Sequence, residues 1–216
     1  MRSEFRDRLL SALFFASGFA ALTYQPCWQR LLFDAFGIDL HSITIVVSTF
    51  MLGLGVGSLI GGAVADRFPA RTTTAFICFE AAIGLFGAAS GWVLPAVGDA
   101  FVGASFATVA VANFLLLLIP TTMMGATLPL LVANAVRTRR AATGVDDDGD
   151  VGVETGRLYF VNTMGACAGA AVPTFALFRF TTLDGAIALA AAVNALVVCA
   201  ALLFLRTPAP ANAAEA

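Results

Sequence analysis

The sequence predicts an all-α fold, a polytopic membrane helical bundle of six transmembrane helices, on three observations. Of the 216 residues, 59% are hydrophobic and 12% charged, whereas an ordinary soluble domain carries about 25% charged residues; mean hydropathy is +0.89. A chain of this length keeps roughly 30% of its extended surface exposed after folding, so its own core cannot hide so much apolar side chain and lipid is the simpler solvent. The second observation is blocking. A hydrocarbon layer about 30 Å thick needs about 20 helical residues, and apolar blocks of that order lie near 9–26, 42–64, 72–92, 99–120, 158–178 and 184–205. The third is the sorting of arginine. With six crossings, Arg2, Arg6, Arg8, Arg67, Arg71, Arg137, Arg139, Arg140, Arg157 and Arg206 fall on one side, and Arg30 and Arg179 on the other, which is ten against two of the 12 basic residues. Basic residues concentrate in cytoplasmic loops, so a multi-pass cell-membrane protein, plasma or inner, with both termini cytoplasmic is expected.

The chain divides accordingly into transmembrane helices one to four over 1–136, a cytoplasmic acidic loop over 137–157, helices five and six over 158–206, and a disordered cytoplasmic tail over 207–216. The opening MRSEFRDRLLSALFFASGFAAL has the basic start of a signal peptide. Its apolar run nevertheless continues to Tyr24 without an A-x-A site, so a retained span is expected. Beyond it, Tyr24, Trp28 and Trp92 sit where aromatic residues anchor at the membrane interface. Trp28 and Arg30 mark an outer interface, and residues 28–37 read equally as a short surface-lying helix or a solvated loop.

The second block contains GLGVGSLIGGAVADRFPAR, whose glycines raise the question of a phosphate-cradling loop. A dinucleotide fingerprint needs a strand, a glycine turn and then a helix, and here the glycines sit inside some 23 largely apolar residues from Ser42 to Val64. Gly53, Gly57 and Gly61 instead recur at i, i+4, on one helical face. Small residues let membrane helices approach closely, so this is expected to be a packing strip. Gly165 and Gly169 form a second strip in the fifth block. At the end of the second block Asp66, Arg67 and Arg71 surround Pro69, which stops the helix. These charges are expected to latch two helix ends at the cytoplasmic side, Asp66 accepting from the next helix's first amides or pairing with an arginine.

In the third block Glu80 lies nine residues past Arg71, which at 1.5 Å per residue puts it about 13 Å along the helix and close to mid-membrane. A carboxyl there should face the bundle interior. It reads either as a proton, cation or ligand site or as a buried structural acid, with Asn113, Asn162 and Thr163 as its expected neighbours. Asn134 and Asn194 add further amides that suit helix bridging. In the fourth block IPTTMMGATLP places prolines at 120 and 129, which reads as a broken helix lining a site or as a plain kink with threonines satisfying freed carbonyls.

Other chemistry is sparse. The run VDDDGDVGVE lacks the alternating ligand register and closing glutamate of a calcium loop. The four cysteines are single and widely separated, with no CxxC, and read as packing residues. His41 is the single histidine. No catalytic residue, metal or cofactor is expected, and no nucleic-acid partner.

The turn DRFPAR after a glycine-rich second helix is similar to the loop between helices two and three of major facilitator superfamily transporters, with pattern G-x-x-x-D-R-x-G-R-R. Gly62, Asp66, Arg67 and Arg71 match, while Ala70 replaces the glycine and Thr72 the second basic residue. More specifically, FFASGFAALTYQPCWQRLL, FMLGLGVGSLIGGAVADR, FEAAIGL, PTTMMGATLPLL and GRLYFVNTMGACAGA, in that order, resemble the membrane region of the fused major-facilitator-like and spermidine-synthase-like proteins. Gln25 departs from the glutamate usual there. The resemblance implies half of a major facilitator fold and an integral membrane module of a polyamine-synthase-like system, binding or transporting a polyamine or related cation. A non-transporting anchor for a partner is the alternative. The partners it implies are the lipid bilayer, a homodimer or second six-helix half, and a soluble spermidine-synthase-like (aminopropyltransferase) chain. No catalytic or nucleotide-binding residue carries over, because these 216 residues match only the membrane region; the chain is not expected to be an enzyme by itself.

Overall fold

The computed structural model describes residues 2–36, 39–144 and 149–205. Six long helices make up nearly all of it: α1 (Arg2–Phe36), α2 (Asp39–Arg67), α3 (Thr72–Ala100), α4 (Phe106–Thr143), α5 (Gly149–Val172) and α6 (Leu183–Phe204). A 3₁₀ turn, Pro69–Arg71, joins α2 to α3, and α5 runs on through a π-helical turn, Pro173–Leu177, and a last turn, Phe178–Phe180. Six of the described segments are long and apolar enough to cross a membrane. The chain is therefore a multi-pass all-α membrane protein.

Helix ends follow local chemistry. The Ser105 hydroxyl accepts from the Thr108 amide and opens α4, and the Thr182 hydroxyl accepts from the Gly185 amide and opens α6, each satisfying one of the orphan donors of a first turn. α4 closes on Gly144 at φ 69°, a left-handed position that glycine adopts without penalty. Pro120 and Pro129 both lie inside α4, which continues through them. The Thr121 hydroxyl donates to the Leu117 carbonyl at 2.8 Å, beside the Leu116 carbonyl that Pro120 leaves without its amide, and Thr127 donates to Met124 at 2.7 Å. The helix is not broken there, and local hydroxyls bond backbone carbonyls near both prolines.

Two glycine-packed pairs organise the bundle. In the first, α2 lies along α4: a Cβ placed on Gly57 would meet the Thr122 carbonyl oxygen, one on Gly61 the Ala126 carbonyl oxygen, and one on Gly125 the Leu54 carbonyl oxygen. In the second, α5 lies along α1, with Gly165 against the Phe15 carbonyl, Gly169 against the Phe19 carbonyl, and Gly18 in return against Asn162. Residue numbers rise together across each pair, so both are parallel. The bare Cα–H groups face carbonyl oxygens, the arrangement in which weak Cα–H···O contacts add to dispersion. Both expected strips are thus helix contacts, and neither partner helix is a sequence neighbour.

Contacts between α1 and α2 and between α4 and α5 close the four helices into a ring, and α3 and α6 pack outside it against α4 and α1 respectively and against each other. Exchanging α1 with α4, α2 with α5 and α3 with α6 reproduces this scheme, apart from an extra contact between α1 and α3.

Two apolar clusters fill the interior. One holds Leu10, Phe14, Phe76, Leu130, Leu158 and Val197 near the arginine-rich end; the other holds Tyr24, Trp28, Phe50, Ile83, Leu117 and Ile187 nearer the opposite end. Trp28, expected at an interface, is wholly buried and stacks on Tyr24 with ring centroids 5.3 Å apart. α1 runs unbroken to Phe36, because residues 24, 27, 28, 31 and 32 continue its buried 3–4 spacing past Pro26; Gly37 lies outside the described residues. Trp92 is exposed. Helices also run into the expected 137–157 loop, of which 145–148 lie outside the described residues, as do Arg206 and the 207–216 tail.

Candidate functional site

Glu80 occupies the seam between the two apolar clusters. On α1 Ser17 falls between Phe14 and Ala20, on α3 Glu80 between Ile77 and Ile83, and on α6 Asn194 between Ala190 and Val197. The three meet. Ser17 Oγ donates to Glu80 Oε1 at 2.5 Å, and Asn194 Nδ2 donates to Glu80 Oε2 at 2.8 Å. The Tyr24 hydroxyl lies 3.1 Å from Asn194 Oδ1 and donates to it. Glu80 and Tyr24 are 0% exposed and Asn194 1%.

Local sequence makes room for this cluster. A Cβ on Gly87 would collide with the Tyr24 ring, and one on Gly84 would press on Asn194 Cβ at 2.9 Å. Two glycines of α3 therefore let Asn194 reach the carboxyl and Tyr24 reach Asn194.

Asn113, Asn162 and Thr163 are placed elsewhere. Asn113 Nδ2 returns to its own helix at Val109, 2.9 Å away, and its buried Oδ1 has no hydrogen-bond partner among the described residues. Thr163 is exposed and donates to Tyr159, while Asn162 packs on Gly18. The reason is helix rotation: the pairing of α5 with α1 through Gly165 and Gly169 turns residues 162 and 163 toward the ring of α1, α2, α4 and α5, whereas Glu80 faces α1 and α6.

Those four helices line a cavity of about 190 Å³, with Ser17, Phe50, Thr127, Tyr159, Asn162 and Thr163 among its walls. Ser17 belongs to both the cavity and the Glu80 cluster, so its rotatable hydroxyl, able to donate or accept, connects the carboxyl to the cavity. On its other side Glu80 backs a crevice of about 370 Å³ between α3 and α6, walled by Ala81, Gly84, Ala191 and Ala195.

The latch at the arginine-rich end differs from expectation. Asp66, Arg67 and Arg71 are all exposed, and Asp66 has neither hydrogen bond nor ion pair among the described residues. Arg67 and Arg71 instead approach the Phe68 ring, at 5.8 and 6.0 Å from its centroid. The 3₁₀ turn leaves α3 starting at Thr72 with no side chain capping it, so Asp66 is not brought to the next helix's amides. Connections across this end come instead from other residues, among them Asn134, one of the amides read from the sequence as suited to helix bridging. Arg137 donates to the Pro69 carbonyl, and Arg6 donates to Asn134 at 2.9 Å, whose amide donates to Thr73 at 2.5 Å. Glu154 is buried and holds Arg157 at 2.8 Å and Arg139 at 3.8 Å, while Arg157 also donates to Ser11 at 2.7 Å. At the opposite end Arg30 stacks on the Phe178 ring, 3.8 Å from its centroid. No group of three or more His, Cys, Asp or Glu side chains suited to a metal occurs among the described residues.

Comparison with protein-family models, with curated proteins and with solved structures returned no match.

Proposed function

We propose that this polytopic membrane protein is a binding or transport module for a small cation of the polyamine class, resembling one half of a major facilitator fold, with Glu80 as its charge-carrying group. The observation that carries the reading is a wholly buried carboxyl joined through Ser17 to a cavity inside the helix ring. An ionised carboxylate deep among apolar helices is expensive unless paired. No cationic side chain reaches Glu80 among the described residues, so a proton or a bound cation supplies the compensation. Interchangeability of the α1–α3 and α4–α6 contact schemes supports a pair of inverted three-helix units, the plan on which many transporters are built. A second copy or a second six-helix half would complete a pathway, with both termini and the 66–71 turn cytoplasmic. The reading includes no catalytic step.

The test is uptake of labelled spermidine into proteoliposomes containing the purified chain, with and without a pH gradient, for the native protein, Glu80→Gln and Glu80→Asp. Uptake by the native protein, lost in Glu80→Gln and reduced in Glu80→Asp, supports the reading. Equal uptake by all three, or none by a folded native protein, defeats it.

One observation favours a second reading, that of a non-transporting anchor for a soluble spermidine-synthase-like chain. Both carboxyl oxygens of Glu80 are already occupied by internal donors, and the crevice behind it is walled by alanines, Gly84, Leu85, Val198 and Cys199. Co-purification of a soluble partner, unaffected by Glu80→Gln, would support the anchor.

A further inference from the structure

Glu80 is 0% exposed and lies behind the wall of the cavity, while Ser17 forms part of that wall. Four hydroxyl-bearing residues border the cavity: Ser17, Thr127, Tyr159 and Thr163. Three of them spend their hydrogen elsewhere. Ser17 donates to Glu80 Oε1 at 2.5 Å, Thr127 to the Met124 carbonyl at 2.7 Å and Thr163 to the Tyr159 carbonyl at 2.8 Å. What these three have left to offer a ligand is lone pairs, which suits a guest rich in N–H donors.

The hydrogen bonds also decide where Glu80 takes up a proton. Its Oε2 accepts from Asn194 Nδ2, whose amide hydrogens only donate, and Asn194 Oδ1 already accepts from Tyr24. Oε1 instead faces a hydroxyl that can turn round. A proton added at Oε1 reverses that bond, so that Glu80 donates and Ser17 accepts. Ser17 then yields one of its two lone pairs to the carboxyl and has a hydrogen to place.

Resting on the reading of Glu80 as the charge-carrying group of a polyamine-class module, we propose that Ser17 relays the proton state of Glu80 to the cavity: with Glu80 ionised its hydroxyl oxygen accepts from a primary ammonium group, and protonation of Glu80 turns the hydroxyl and expels that group. One proton enters as one ammonium leaves, so the charge of the site is conserved. Binding therefore strengthens as rising pH ionises Glu80 and weakens as pH falls. Of the elements packed on α3, α1 brings Tyr24 to this cluster and α6 brings Cys199 to the crevice behind it; α4 has no titratable side chain from Phe106 to Val136. Phenols and thiols ordinarily ionise only above about pH 8, which leaves Glu80 as the group titrating below that.

The experiment is equilibrium binding of labelled spermidine to the purified protein in detergent from about pH 5.5 to about pH 8, with competition by propylammonium and by tetramethylammonium, which carries the charge but no N–H. Native affinity should rise with pH, and propylammonium should displace the label at least about tenfold more tightly than tetramethylammonium. Ser17→Ala should weaken spermidine about tenfold at the upper pH, flatten the pH dependence and lose the preference for propylammonium, whereas Ser17→Thr, which keeps the hydroxyl, should retain all three properties. Unchanged affinity, slope and preference in folded Ser17→Ala, with the slope still abolished by Glu80→Gln, would overturn the relay and leave the Glu80 reading standing. No spermidine binding by the folded native protein at any pH would overturn both.

Discussion

Asn194 Nδ2 donates to Glu80 Oε2 at 2.8 Å across 114 positions of chain, and the same amide accepts from Tyr24. Asn194→Leu removes both bonds at once and leaves two buried polar groups short of a partner. A buried unsatisfied group costs about 1–3 kcal/mol, so this variant should unfold well below the native protein in a detergent melt. An unchanged Tm would mean that the cluster contributes nothing to α6 docking.

Tyr24→Phe is milder. It deletes one neutral hydrogen bond and keeps the ring against Trp28 and Gly87, for an expected loss of about 1 kcal/mol. Gly87→Ala should cost more than Tyr24→Phe, because its new methyl group meets the aromatic ring rather than free space. The order of the two melting temperatures checks this.

Glycine positions of α2 should divide sharply. Gly57→Leu drives a side chain into the Thr122 carbonyl, whereas a Cβ on Gly55 meets nothing within 4 Å. Folded yield after size-exclusion chromatography should collapse for Gly57→Leu and stay near native for Gly55→Leu. Gly165→Leu should behave like Gly57→Leu, since it opens the α1–α5 pair in the same way.

Arg157→Gln leaves Glu154 buried with its closest partner removed. Breaking a buried pair costs about 3–5 kcal/mol when both groups are enclosed; Arg157 is 31% exposed in its side chain, so solvent reduces this to about 1–3 kcal/mol. Glu154→Gln/Arg157→Gln should recover part of the loss. A double variant no more stable than Arg157→Gln alone would contradict the pairing.

Sidedness has a direct test at Ala70, which is exposed in the 3₁₀ turn. In a variant with the native cysteines replaced, Ala70→Cys should react with a membrane-impermeant thiol reagent only after the cytoplasmic face is opened. Labelling of intact cells would reverse the topology.

The spans were legible because lipid demands long apolar helices, and that signal survives in composition alone. The glycine strips were legible as faces, but not their partners, since α2 finds α4 and α5 finds α1 across intervening helices. Gly18 and Gly125 carry no i, i+4 glycine companion and gave no signal, although each completes an interface from the opposite side. Glu80 stood out as a carboxyl in an apolar block; Ser17 did not, because a serine in membrane helix is common and only the rotation of α1 aims it at the acid. Trp28 and Tyr24 looked interfacial near a polar boundary, but the 3–4 spacing of residues 24 to 32 was the signal that could have placed them inside. Glu154 lay at the edge of an acidic run that suggested solvent, while Arg157 three residues on was the available hint of a pair.

The two parallel pairs bear on how the chain is made. Each joins a helix from the first half to one that leaves the ribosome much later, with Phe15 meeting Gly165 and Gly53 meeting Thr121. During synthesis the α1 face at Phe15 and Phe19 and the α2 face at Gly53 and Gly57 therefore wait uncovered in the bilayer, and α1 waits longest. Assembly belongs to the end of translation, when α5 slides in beside a helix inserted near its beginning.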